Sequence, residues 1–119
     1  MVLKQREVIL VDFPYNQESS FIYKGQHYAV VLHYSDDNMQ TVLVCPLTSK
    51  KDGLNYNKRG LFEVGQLINK KSPIAVAAIN QIRAIDKDLI IARNVDMVSI
   101  EIYDKILEEL WEVIGNKWK

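Results

Sequence analysis

Residues 7–14 read Glu-Val-Ile-Leu-Val-Asp-Phe-Pro (EVILVDFP), and their reading decides the fold. The run Glu7 to Phe13 is apolar and rich in β-branched residues, and Pro14 ends it. That composition fits a pleated, half-buried strand. Residues 14–26 follow, rich in turn formers and closed by Gly25. They predict a hairpin loop long enough to be functional rather than a plain connector.

Further strands continue the pattern. His27 to Tyr34 (HYAVVLHY) reads as a second strand, Ser35 to Asn38 as a turn, and Gln40 to Leu47 (QTVLVCPL) as a third. Pro46 suggests an edge or a bulge. Thr48 to Gly60 is a polar, basic loop, and Leu61 to Val64 a short strand. Ile74 to Ile79 (IAVAAI) is fully apolar and predicts a strand buried on both faces. Asn80 to Ile85 (NQIRAI) is expected to continue it, before a turn at Asp86–Asp88 and a short strand at Leu89–Ala92.

The last segment changes period. Ile100, Tyr103, Leu107, Leu110 and Ile114 recur every three or four residues, the apolar stripe of a helix. Ser99 suits the N-cap, Glu101 the positive end, and Gly115 the C′ stop. The expected class is mainly β with α (α+β): a small, partly closed antiparallel barrel and one C-terminal helix, in one domain over residues 1–119.

Composition narrows the function classes. The chain has 119 residues, with 15 Lys plus Arg against 15 Asp plus Glu. This zero balance argues against a bulk polycation that coats nucleic acid. The charge is uneven, however. Residues 48–71 carry 6 basic and 2 acidic side chains, and residues 96–119 carry 3 and 6. A +4 block and a −3 block are hidden in the zero. Cys45 is the single cysteine, so no intramolecular disulfide can form, and its apolar neighbours suggest a buried small hydrophobe. No run approaches the ~20 apolar residues of a membrane span, and a soluble, cytoplasmic protein is expected. There is no Walker loop, dinucleotide glycine fingerprint or His pair at metal spacing. The expectation is a reaction without metal or cofactor, or binding alone.

Several segments, in order, resemble the PemK/MazF toxins of bacterial type II toxin–antitoxin systems. These are Glu7-Val8 to Asp12-Phe13, Gly25 to Leu32, and Val44 to Ser49 with its Pro-Leu-Thr-Ser. Asn80-Gln81-Ile82-Arg83-Ala84-Ile85-Asp86-Lys87 and a helix beginning near Ser99 complete the series. The resemblance implies an SH3-like barrel with a C-terminal helix, packed as a homodimer. It implies a toxin that cuts single-stranded mRNA as a metal-independent endoribonuclease and is inhibited by a cognate antitoxin protein.

Carried over by position, Thr48 matches the family's active-site threonine. Lys24, Ser49, Lys50, Lys51, Arg59, Gln81 and Arg83 become candidate RNA contacts. The family usually has Arg-Pro just before Ala-Val-Val; here those positions are His27 and Tyr28. His27 then has two readings, a general acid or base in RNA cleavage or a strand-start histidine. Arg83 likewise stands either as a cation for RNA or as an inward arginine paired with Asp86. Asn80, often acidic in relatives, cannot move a proton. Tyr15, Phe21 and Tyr23 are candidate stacking platforms or surface packing. Trp118, beyond Gly115, is a possible partner anchor. It motivates the alternative of a toxin-fold binding protein without ribonuclease activity, of the gyrase-poisoning type or a degenerate member.

Overall fold

The structure is a computed structural model describing residues 1–15, 23–50, 60–66 and 74–115. Its strands are β1 (Glu7–Phe13), β2 (Gly25–Val31), β3 (Thr41–Ser49), β4 (Leu61–Gln66), β5 (Ile74–Ala78), β6 (Arg83–Asp86) and β7 (Ile90–Met97). One helix, α1 (Ile100–Gly115), ends the described chain. The strand order is β4-β5-β3-β2-β1-β7, with β6 paired to β3, and every pairing is antiparallel. The expected α+β class, mainly antiparallel β with a C-terminal helix, is what the chain adopts.

Strand β3 is the hinge of the sheet. Its first half pairs with β6 from Thr41 to Val44, and Val44 to Pro46 pair with β2. Its last three residues, Leu47 to Ser49, pair with β5. Val44, Cys45, Pro46 and Leu47 are consecutively buried, because the sheet bends around them and covers both faces. Pro46, read as an edge or bulge marker, sits at this bend, opposite Ala29.

Strand alternation sorts the side chains into two cores. Val8, Val30, Cys45 and Leu47 face the helix and pack with Ile79, Val98, Tyr103 and Ile106. Ile9, Val11, Phe13, Ala29, Val31, Val42, Val44 and Ile85 form the core on the opposite face. Buried Lys87 closes that side by donating to the carbonyls of Met1 (2.9 Å) and Asp36 (2.7 Å). Buried Glu7 accepts from the amides of Lys4 and Asn94 and lies 3.6 Å from Arg93.

Some expectations are corrected. Asn80 to Ile85 does not prolong β5: a 3-10 turn at Ile79–Gln81 breaks the strand, and β6 pairs with the other end of β3. Strand β7 runs to Met97, well past Ala92. Ser99 is the helix cap, its Oγ accepting from the Ile102 amide at 3.2 Å. Gly115 is the last helical residue rather than a left-handed stop. Its missing side chain makes room for Trp111, whose ring would stand 2.9 Å from an added Cβ.

The helix stripe is also reassigned. Tyr103 and Ile106 are buried, with Ile102, Leu110 and Val113 packed beside them. Ile100, Leu107, Trp111 and Ile114 are instead exposed. About half of the helix circumference is apolar, and only part of it meets the sheet.

Candidate functional site

The face of the sheet opposite α1 is where the expected site residues meet. Strand alternation puts Phe13, His27, Thr48 and Arg83 on this face, in line with Val11, Ala29, Val44 and Ile85. The β1–β2 register sets Phe13 opposite Gly25 and Val11 opposite His27. The β2–β3 register pairs Ala29 with Pro46, and continuing it by two residues sets His27 across from Thr48. Thr48 itself pairs with Val76 of β5, so it marks the point where the sheet turns from β2 to β5.

His27 is wedged between two main-chain acceptors. Nδ1 lies 3.3 Å from the Leu47 carbonyl, one residue before Thr48. Nε2 lies 3.1 Å from the Lys24 carbonyl. An imidazolium donates to both oxygens, whereas a neutral ring donates to one. The ring also stacks on Tyr23, with centroids 4.9 Å apart and planes at 17°, and it stands 6.0 Å from Phe13. A general acid or base needs a ring nitrogen turned to the reacting oxygen; here each nitrogen faces a carbonyl.

Arg83 does not pair with Asp86. Residues three apart on a strand point to opposite faces, and the Asp86 carboxylate instead accepts from Gln40 and from the Asp88 amide. Both bonds hold that carboxyl below its usual range, the backbone one first. The Arg83 guanidinium lies 4.4 Å over the Phe13 ring and donates to the Tyr23 carbonyl at 2.7 Å. Partial burial pulls it below the ordinary arginine value. Gln81 completes the group: its Oε1 accepts from the Tyr23 amide at 3.1 Å.

The remaining candidates spread out. Lys24 is half-buried beside His27. Ser49 is exposed at the end of β3, opposite Ala75. Lys50 Nζ lies 2.5 Å from Glu63 on β4, so an acidic neighbour in the same basic block takes up its charge. Lys51, Arg59, Phe21 and Trp118 lie outside the described residues. Tyr15 is exposed, with its hydroxyl over Gly25, where φ is +78° and a Cβ would come within 2.3 Å of it. Cys45 lies in the core on the helix side of the sheet, where burial pushes its thiol up to about 12.

Sequence reading missed Phe13 as a site residue, and Tyr23, a candidate stacking platform or surface packing, stacks on His27. The alternation that buries Val11 also puts Phe13 on the His27 face, and that signal was available. Among the described residues, no three His, Cys, Asp or Glu side chains converge to hold a metal ion. No described helix is long and apolar enough to cross a membrane.

The arrangement groups a hydroxyl, an imidazole, a guanidinium and a lysine at one end of the sheet, with the half-buried Tyr23 ring beside them and the buried Phe13 ring beneath. Such a surface can hold a phosphodiester and stack an unpaired base. Comparisons with known proteins agree with the fold. The structure is similar to that of MazF from Deinococcus radiodurans, at 16% identity and a TM-score of 0.72 over 97% of this chain and 98% of that one. It is similar to an endoribonuclease in complex with its cognate antitoxin from a mycobacterial species, at 15% identity and a TM-score of 0.66 over 98% and 99%. It is also similar to the Mycobacterium tuberculosis toxin MazF-mt6, at 11% identity and a TM-score of 0.61 over 95% and 100%. No curated protein matches the chain by sequence. The family model for the PemK-like, MazF-like toxin of type II toxin–antitoxin systems matches residues 4–114, and the chain belongs to that family.

Proposed function

We propose that this toxin is a metal-independent endoribonuclease that cleaves single-stranded mRNA at the Thr48–His27 end of the sheet. The observation that supports the reading best is the placement of Thr48, His27 and Arg83 on one face, beside Lys24 and opposite the acidic helix. In the proposed reaction the 2′-oxygen forms a bond to phosphorus and the bond to the 5′-oxygen breaks. The products are a 2′,3′-cyclic phosphate and a 5′-hydroxyl. With the ring proton on Nδ1 facing the Leu47 carbonyl, His27 takes the 2′-hydroxyl proton at Nε2 as that atom turns from the Lys24 carbonyl to the substrate oxygen, and water protonates the leaving oxygen. Thr48 donates to a phosphate oxygen, and Lys24 stabilises the charge that develops there. Ser49 and Lys50, just beyond Thr48 on the same strand end, border the path of the RNA strand.

The partners follow the same reading. A cognate antitoxin protein inhibits the toxin at its basic side, as the solved complexes of similar proteins with antitoxins suggest. A second copy of the chain covers the apolar ridge Ile100–Leu107–Trp111–Ile114, which is too exposed to be finished inside one protomer. The compartment is the cytoplasm, where the mRNA is.

The test is incubation of the purified protein with matched RNA and DNA oligonucleotides in EDTA. Cleavage of the RNA, with cyclic phosphate ends and intact DNA, is expected; intact RNA across pH 6–8 would overturn the proposal. A second reading, a toxin-fold binding protein without ribonuclease activity, is favoured by the engagement of both His27 nitrogens and by the 68% exposure of Trp111. It predicts growth arrest on expression with RNA left uncut, and retention of gyrase that is lost in Trp111→Ala.

A further inference from the structure

The pair Gln81 and Arg83 entered as candidate RNA contacts, but the structure uses both on the protein's own main chain. Gln81 Oε1 accepts from the Tyr23 amide at 3.1 Å, and Arg83 donates to the Tyr23 carbonyl at 2.7 Å. One residue on, His27 holds the Lys24 carbonyl at 3.1 Å. Side chains from three different elements therefore converge on two consecutive residues, Tyr23 and Lys24, just ahead of β2. Tyr23 is fixed in a third way, by its ring against His27. The Arg83 side chain has its own support in the Phe13 ring. The two hydrogen bonds to Tyr23 from Gln81 and Arg83 span 58 and 60 residues of sequence, so local structure does not require them.

We infer that Gln81 and Arg83 are positioning residues that act through the main chain of Tyr23, fixing Lys24 and the Tyr23 ring beside Thr48 and His27. The inference rests on the reading of this site as a ribonuclease centre. It also explains how His27 can give up the Lys24 carbonyl to substrate. With Tyr23 held at both its N–H and its C=O by other groups, the segment stays in place when the His27 contact opens. The Gln81 acceptor oxygen and an Arg83 N–H that are spent on the Tyr23 main chain fix geometry and are not left to RNA.

The substitution Gln81→Glu separates the two roles. Glutamate offers the same acceptor to the Tyr23 amide but sets a negative charge beside RNA. The experiment measures amide hydrogen exchange at Tyr23, with Val30 as a folding control, and single-stranded RNA cleavage, in Gln81→Ala, Gln81→Glu and Arg83→Lys. Positioning predicts that Gln81→Ala speeds Tyr23 exchange by about tenfold, the worth of one hydrogen bond. Its kcat should fall by a similar factor with KM little changed. Gln81→Glu should keep both exchange and kcat within about threefold of the parent. Unaltered Tyr23 exchange in Gln81→Ala overturns the inference, as does a Gln81→Glu protein that keeps the exchange protection but loses RNA affinity. If the parent protein cuts no RNA, the ribonuclease reading fails on its own. The exchange measurement then still decides whether Gln81 and Arg83 hold Tyr23.

Discussion

The Tyr23 ring lies flat on the His27 ring, with centroids 4.9 Å apart and planes 17° apart. This stack ties Tyr23, just ahead of β2, to that strand. It leaves the two His27 nitrogens free to point along the sheet, one to Leu47 and one to Lys24. Replacing His27 by phenylalanine keeps an aromatic surface for Tyr23 and removes both polar contacts. The expected loss of stability is about 1 kcal/mol, from the carbonyl that the ring donates to and that then lacks its donor. Urea unfolding of the parent and His27→Phe measures it; equal midpoints would show that the contacts contribute nothing.

Cys45 makes a prediction about alkaline pH. Burial raises its folded value to about 12, while an unfolded thiol ionises near 8.5. The folded state thus retains a proton that the unfolded state gives up. Stability from this group is complete below about pH 8.5 and falls by about 1.4 kcal/mol per pH unit above it. Unfolding curves at pH 8 and pH 10 should diverge more for the parent than for Cys45→Ala. In the native protein at pH 8 the thiol should not react with a disulfide reagent, and rapid labelling would contradict its burial.

The two apolar sides of α1 should respond differently to substitution. Ile106 is fully buried, and Ile106→Ala is expected to cost about 2–5 kcal/mol through lost contacts and a cavity. Trp111 is 68% exposed, so Trp111→Glu should change the stability of one protomer by no more than about 0.5 kcal/mol. The proposed pairing predicts instead that Trp111→Glu shifts the protein from dimer to monomer in sedimentation. A parent protein that sediments as a monomer at high concentration would remove the second copy from the account.

Lys87 belongs to the segment that carries the family resemblance, yet its ammonium is spent on the Met1 and Asp36 carbonyls. Lys87→Met keeps the side-chain length and leaves both oxygens without this donor. A loss of about 2 kcal/mol is expected, with RNA binding unchanged per folded molecule. Weaker RNA binding by fully folded Lys87→Met would give this lysine a role in the site after all.

Sequence patterns reached the strands where one face is buried and the alternation is clean. EVILVDF reads as β1 over the same seven residues, and Ser99 reads as the cap it is. They failed where two solutions share one pattern. The apolar arc of α1 spans about half its circumference, so a three-and-four spacing cannot say which half faces the sheet. Ile100, Leu107 and Ile114 fit the spacing as well as Ile106 does. The break at Ile79–Gln81 was hidden because buried Ile79 ends the apolar run IAVAAI as a strand residue would, although it already opens the 3-10 turn. Thr48 and His27 could be named from resemblance, but their shared face depends on the β2–β3 register. The partners of Arg83 were partly legible: a strand's two-residue period already separates it from Asp86. Its contact with Tyr23 joins residues 60 apart, which no local pattern encodes.

The central claim is that the Thr48–His27 end of the sheet cuts RNA. The most direct measurement is the single-turnover cleavage rate of one single-stranded RNA in EDTA by the parent and by Thr48→Ala, with folding checked by circular dichroism. The account predicts cleavage by the parent and a fall of about 100-fold or more in folded Thr48→Ala, the usual effect of removing one hydrogen-bond donor to developing charge. Equal rates for the two proteins would contradict it.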